Sequence, residues 1–279
     1  MPMRSVLVTG ASTGIGRATA LRLERAGWRV FAGVRREEDA EALRQAGGAS
    51  LLPLILDITE SEQIAAAAER VRTDAGGRLD GLVNNAGVAI PSPLETIPID
   101  DFRRQIEVNL TAQVAVTQAM LQALRGARGR IVFLSSIGGL QAFPFTGAYH
   151  AAKFGIEAVG DVFRQELRPW RIAVSIVEPG SIDTPIWERG ERMVEDIGGA
   201  ERRDALYGKS IEGYRRAIKE LAERGIPPEK VAATIEHALG ARRPRTRYLV
   251  GLDAKLQARL KPLVPTRLFD RIVARMMHI

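Results

Sequence analysis

The chain predicts a doubly wound α/β fold, a parallel sheet with helices on both faces. Three observations carry that expectation. Short, almost wholly apolar runs recur along the chain, helical stretches separate them, and a glycine-rich turn joins the first run to the first helix. Apolar runs without alternation suit parallel strands covered on both faces. Strand, crossover helix and strand, repeated, build such a sheet.

In order, the expected strands are Ser5–Thr9, Arg29–Val34, Leu51–Leu56, Leu82–Asn84, Arg130–Leu134, Arg171–Val177 and Tyr248–Val250. Helical patterns fall between them, among them Ala18–Arg25, Glu37–Gln45, Ser61–Thr73 and Phe154–Leu167. There is no Pro/Ser-rich linker and no repeat beyond the strand–helix unit, so residues 1–279 read as one domain with a substantial core. Two segments leave the alternation. A charged insertion at 185–226 carries Tyr207, Ile211, Tyr214, Ile218 and Leu221 at spacings of four and three. That is one stripe of an amphipathic helix, read either as a substrate lid or as a face docked on the domain. The extension 252–279 is also helix-like, broken at Pro262 and Pro265.

Apolar residues make up 46% of the chain and charged residues 26%, the balance of a soluble globular protein. The absence of cysteine excludes disulfides, thiolate catalysis and cysteine-ligated metal, and no metal site is expected. No apolar stretch approaches the ~20 residues that span a bilayer. Ser5-Val6-Leu7-Val8 runs straight into the glycine turn and reads as a strand rather than a leader, so a cytoplasmic location is the expectation. The net charge of +7 favours anionic partners. Six Lys/Arg against Asp253 and Asp270 concentrate that charge in residues 252–279. There, Leu268, Ile272, Val273 and Met276 beside Arg267, Arg271 and Arg275 fit an interfacial helix in peripheral membrane contact, and equally a lid or a subunit contact. Zinc-finger spacing, a helix-turn-helix pattern and an aromatic-interleaved basic stripe are all missing, so no nucleic-acid partner is expected.

In Val6-Leu7-Val8-Thr9-Gly10-Ala11-Ser12-Thr13-Gly14-Ile15-Gly16 the turn follows a strand and opens a helix. Gly10 suits a tight turn, and Gly14 and Gly16 let backbone and helix approach a pyrophosphate, whose charge free N–H groups and the helix dipole favour. An ordinary flexible turn has the same look, so support must come from elsewhere. At the end of the second strand, an NAD-binding fold places an acidic residue for the ribose hydroxyls. Here Val34 holds that place, with Arg35 and Arg36 after it. Guanidinium grips a 2′-phosphate bidentately. NADP(H) is therefore favoured, with Arg35 the better candidate, while NAD(H) stays open because Glu37, Glu38 and Asp39 offer to neutralise the pair. Asp57, after the third strand, is placed either to accept from an adenine amino group or to cap the next helix.

Tyr149 and Lys153 lie four apart, on one helical face. A phenol near pKa ~10 is a poor base at neutral pH, and a nearby ammonium is expected to lower it. Ser136, at the end of a strand, is placed to bond the same substrate oxygen. His150 follows Tyr149, but one residue along a helix points about 100° away, so it is expected to pack or face solvent.

Together these residues resemble the short-chain dehydrogenase/reductase family, whose fold is a Rossmann-type sheet. The matching motifs are Thr9-Gly10-x-x-x-Gly14-Ile15-Gly16, Asn84-Asn85-Ala86-Gly87, Asn109, Ser136, Tyr149-x-x-x-Lys153, and Pro179-Gly180 followed by Thr184. They run in family order from residue 5 to about 185. The resemblance implies a catalytic set in which Tyr149 is the acid/base and Lys153 lowers its pKa and holds the nicotinamide ribose. Ser136 would orient the carbonyl or hydroxyl, and Asn109 would hold a water that feeds a proton relay. It also implies cofactor contacts from Gly10, Ser12, Thr13, Gly14, Ile15 and Gly16, from Arg35, Arg36, Asp57 and Ile58, and from Asn85, Ala86 and Gly87. Pro179, Gly180, Ile182 and Thr184 would complete the nicotinamide wall. One departure stands out: position 13 is Thr, where some NADP-preferring members carry a basic residue.

Leu140, Phe143 and Phe145 lie between Ser136 and Tyr149, either lining a pocket for a bulky apolar substrate or buried in the protein's own core. The stretches around Tyr149 and Pro179 look most like those of hydroxysteroid and retinol dehydrogenases. The expected function is NADP(H)-dependent hydride transfer on a steroid-, retinoid- or lipid-like alcohol or ketone, by a homodimer or homotetramer. Alternatives are a catalytically inactive NADP(H)-binding sensor, or a membrane-surface protein acting through its basic C-terminal helix.

Overall fold

Residues 3–186 and 200–277 are described by a computed structural model. Seven strands, β1 (Ser5–Val8), β2 (Arg29–Val34), β3 (Leu51–Ile55), β4 (Gly81–Asn84), β5 (Arg130–Leu134), β6 (Ala173–Pro179) and β7 (Arg247–Val250), form one parallel sheet. The order is β3-β2-β1-β4-β5-β6-β7. From β1 the chain builds outward through β2 and β3, then crosses back so that β4 pairs β1 on its other side. That reversal opens a crevice at the carboxyl ends of β1 and β4, the ligand position of doubly wound folds. Pro53, which has no N–H to give, is tolerated because β3 is an edge strand.

Alternate strand residues face opposite sides of the sheet. Val6 and Val8 face the layer that holds α1 (Gly14–Arg25), α2 (Glu37–Ala46) and a later helix, Pro228–Gly240. Leu7, Leu82 and Phe133 face the layer of α3 (Ser61–Asp74), α5 (Ala112–Ala127) and α6 (Gly147–Glu166). A shorter helix, α4 (Ile99–Ile106), runs into α5 through a π-helical turn at Glu107–Thr111.

Three expected starts move by more than one residue. α1 begins at Gly14 rather than Ala18, because the helix opens on the glycine turn itself. β6 begins at Ala173 rather than Arg171, because a 3₁₀ turn at Arg168–Trp170 ends with Arg171 in the left-handed region, φ 57°. α6 begins at Gly147 rather than Phe154, which puts Tyr149 in its first turn.

The insertion expected at 185–226 contains α7 (Ala200–Glu223); its part at 187–199 lies outside the described residues. After α8 (Pro228–Gly240) and β7 come α9 (Leu252–Leu260) and α10 (Thr266–Met277), separated by the Pro262 and Pro265 break. Residues 278 and 279 of the extension also lie outside the described residues.

Phe143 and Phe145 are resolved in favour of the core. Phe145 is buried edge-on to Tyr207 and Tyr214 of α7, and Phe143 packs against Phe269 of α10. Tyr207, Ile211, Tyr214 and Ile218 form the docked face of α7, whereas Leu221 is exposed. Val273 also turns inward, so the apolar stripe left open on α10 is Leu268, Ile272 and Met276. Phe145 holds φ 66°, a left-handed backbone uncommon outside glycine. Its ring contacts and the Ser92 N–H on its carbonyl, 2.7 Å, sustain that strain.

Phe145→Ala is expected to lower unfolding free energy by about 3 kcal/mol in a denaturant titration, the cost of emptying a buried aromatic site.

Candidate active site

The crevice contains a cavity of about 540 Å³, lined by the glycine turn, the ends of β2, β3, β4 and β5, the first turn of α6 and the segment after β6. Its floor is a stapled junction between β1 and β4. The Thr9 hydroxyl accepts from the N–H groups of Asn85 and Ala86, and the Asn85 amide donates to the carbonyls of Thr9, 2.9 Å, and Gly10, 3.0 Å. Gly10 sits at φ 64°, and a Cβ there would meet the Ala86 backbone at 2.8 Å. A Cβ on Gly16 would collide with the Gly10 carbonyl oxygen, so that glycine lets the helix close onto its own turn.

The site fits a dinucleotide. Gly14, Ile15 and Gly16 present the N-terminus of α1 to the cavity, and that first turn carries no acidic side chain. A phosphate is favoured where free N–H groups and the helix dipole converge. Gly10, Ser12, Thr13, Arg35, Asp57, Ile58, Asn85, Ala86, Gly87, Pro179, Gly180, Ile182 and Thr184 also line it. Asp57 Oδ1 accepts from the Thr59 N–H and hydroxyl, a local turn that orients the carboxylate.

The two arginines part company. Arg35 lines the cavity; Arg36 is not among its lining residues. Arg36 is bonded instead to both oxygens of Asp39, at 3.0 and 3.1 Å, the neutralisation that the acidic start of α2 offered.

Ser136, Tyr149 and Lys153 all line the cavity. Lys153 Nζ donates to the Leu134 carbonyl at 2.7 Å and lies 5.6 Å from the Tyr149 ring centre. Burial pulls the lysine down to about 8, while the Glu157 carboxylate one turn on opposes that fall. The expected lowering of Tyr149 by the ammonium is corrected here. Burial pushes the phenol up, and the Ser136 hydrogen bond draws it partly back. Enclosure disfavours phenolate more strongly than these neighbours favour it.

Asn109 is fully buried in the π-helical turn behind the cavity, its amide accepting from the Val88 N–H at 2.8 Å and donating to the Val88 carbonyl at 2.7 Å. Leu140, Phe143 and Phe145 do not line the cavity; Phe143 packs against α10 and Phe145 against α7. Arg104 and Glu107 do line it. They come from α4 and the π turn, and no motif marks them in the sequence.

His150 is a clamp. Its Nε2 accepts from the Phe143 N–H at 2.9 Å, which leaves Nδ1 to donate to the Gly138 carbonyl at 2.8 Å. The neutral ring thereby ties together the loop that carries Ser136.

A family model described as short chain dehydrogenase matches residues 4–195. The chain belongs to that family. Retinol dehydrogenase 5 of Mus musculus is 38% identical over 278 residues, covering 96% of this chain and 87% of that protein. The 17-beta-hydroxysteroid dehydrogenase type 6 of Homo sapiens is 37% identical over 285 residues, covering 97% and 87%. An NADPH-dependent 3-dehydrocapnine reductase of Ornithobacterium rhinotracheale is 33% identical over 276 residues, covering 97% and 96%. This short-chain dehydrogenase is an oxidoreductase acting on CH–OH and C=O groups with a nicotinamide cofactor, and it resembles the hydroxysteroid and retinol dehydrogenase branch. None of its helices, among the described residues, is long and apolar enough to cross a membrane.

Burial holds the His150 imidazole below its ordinary 6.5. As pH falls through 6.5 the unfolded chain takes up a proton that the fold refuses, so His150 lowers stability progressively below that pH. Thermal unfolding between pH 7 and 5 is expected to show a shallower decline in His150→Gln than in the native protein.

Proposed function

We propose that this chain is an NADP(H)-dependent oxidoreductase of bulky apolar alcohols and ketones, with Tyr149, Lys153, Ser136 and Asn109 as its working set. The observation that carries this is the shared cavity wall of Ser136, Tyr149 and Lys153, facing a cradle built for a dinucleotide. An intact set speaks against an inactive sensor. Bound there, the nicotinamide supplies or receives the hydride of the C–O carbon.

The chain's own groups do the rest. Burial keeps the Tyr149 phenol protonated at neutral pH, which suits it to donate that proton to a carbonyl oxygen. The Ser136 hydroxyl orients the same oxygen. Lys153, anchored on the Leu134 carbonyl, holds the ribose and returns a proton toward Tyr149. Asn109 fixes Val88 with its amide, so the relay water passes to its backbone. The Arg35 guanidinium takes the 2′-phosphate, and Arg36 is left to Asp39. The NADPH-dependent reductase among the relatives supports the same preference.

An apolar substrate is supported by Val88, Ala89, Ile182, Pro185 and Ile186 in the cavity lining, and by the relatives named for retinol and 17-beta-hydroxysteroids. The protein works in the cytoplasm as a dimer or tetramer through α5 and α6, where Phe154 and Val162 stand exposed. The extension makes peripheral contact with membrane. Leu268, Ile272 and Met276 are exposed, each directly after an arginine, so apolar and basic stripes run side by side along α10.

The decisive experiment runs retinal, a 17-ketosteroid and cyclohexanone with NADPH and NADH in parallel. NADPH and the two bulky substrates are expected to win; predominant turnover with NADH refutes the role of Arg35. Arg35→Ala should raise the NADPH KM about 10-fold or more, the worth of a charge-assisted contact, and leave the NADH KM nearly unchanged. Reduction should decline above about pH 8 as Lys153 loses its proton. In co-sedimentation, vesicles rich in phosphatidylglycerol should retain the protein and phosphatidylcholine vesicles should not. Ile272→Glu is expected to release it.

A further inference from the structure

Behind Lys153, away from the cavity, lies a group of charges that the proposed chemistry does not use. Glu157 follows Lys153 by one turn of α6 and is 8% exposed; Glu178, near the end of β6, is 1% exposed. Arg247, at the start of β7, joins them. Its Nε donates to Glu157 Oε2 at 3.1 Å and stands 3.4 Å from Glu178 Oε1, while its Nη2 donates to Asp161 Oδ2 at 2.8 Å. Asp161 is also held by Arg164 at 3.0 Å. One guanidinium thus serves three carboxyl groups, two of them buried.

The buried pair is short of donors. Glu157 Oε1 and Glu178 Oε1 both lack a hydrogen-bond partner, and Ser135 Oγ faces Glu157 without hydrogen-bond geometry of its own. Two carboxylates side by side in a dry site cannot both stay ionised with one shared cation, and a single proton between them supplies the missing donor. Glu178 is the member to carry it. Burial and then the neighbouring Glu157 push it up to about 7, whereas Arg247 opposes that rise. Burial raises Glu157 as well, but Ser135 and Arg247 draw it back, and its direct bond to Arg247, one turn of α6 from Lys153, makes it the member that stays charged.

We propose that Glu157 is a positioning residue: with Glu178 carrying the pair's proton and Arg247 clamping both carboxyl groups, its carboxylate is the buried counter-charge that keeps Lys153 an ammonium. A lysine this enclosed would otherwise shed its proton, since the hydrogen bond it gives goes to a neutral carbonyl. The groups about Glu157 are Lys153 and Asp161 from α6, with Arg164 on Asp161, Glu178 from β6, Arg247 from β7 and the Ser135 hydroxyl after β5. The catalytic importance of Glu157 rests on the role given to Lys153 above; its electrostatic effect does not.

Competitive acetylation of the full chain with acetic anhydride across pH, read by mass spectrometry at Lys153, tests the effect without turnover. In Glu157→Gln the lysine is expected to titrate about one pH unit lower than in the native protein, the effect of losing an opposite charge nearby. In Glu178→Gln it should titrate as in the native protein. A Lys153 unmoved by Glu157→Gln, or moved equally by both substitutions, overturns the inference. In retinal reduction with NADPH, the alkaline limb of kcat/KM should move with Lys153 in Glu157→Gln and return in Glu157→Asp. A loss of equal size at every pH would mark Glu157 as merely structural and also overturn it. If acetylation moves as expected while no carbonyl is reduced, the proposed function fails and the electrostatic coupling stands.

Discussion

An ammonium held inside the domain is the constraint on which the site depends. Lys153 gives a hydrogen bond to the Leu134 carbonyl, which ties the first turns of α6 to the carboxyl end of β5. Helix and strand are thereby locked at the angle that brings Ser136 and Tyr149 to one wall. Burial pulls that lysine toward neutrality, and the Glu157 carboxylate one turn on opposes the pull. Removing the charge would loosen the wall as well as the chemistry.

The glycine turn meets a second constraint of the same kind. Gly10 and Gly16 are required first by the protein's own packing: Ala86 lies against one and the Gly10 carbonyl against the other. Thr9 and Asn85 then pin β1 to β4 where the strand order reverses. The cradle for a phosphate is what remains when those contacts are made, with the α1 N-terminus exposed to the cavity. Geometry that closes the fold therefore opens the site.

Much of this was legible in the sequence. Apolar runs located all seven strands, and the spacing of Ser136, Tyr149 and Lys153 brought them to one cavity. What escaped depended on contacts between distant segments. Nothing local in Arg35-Arg36 says which arginine Asp39 will claim. Phe143 and Phe145 look alike whether they meet a ligand or α7 and α10, and the packing of residues more than sixty positions away decides it. The direction of the Tyr149 shift was missed because spacing reveals the neighbouring charge and conceals the burial. Arg104 and Glu107 reach the cavity only because α4 turns into α5 through a π turn.

That the Tyr149 phenol is the group that hands its proton to the substrate oxygen is put to the test by Tyr149→Phe. NADPH fluorescence titration and retinal reduction would be measured on the same preparation. NADPH affinity should be unchanged and reduction slowed at least about 100-fold, the usual worth of a positioned acid. Reduction within a few-fold of the native rate would contradict that role.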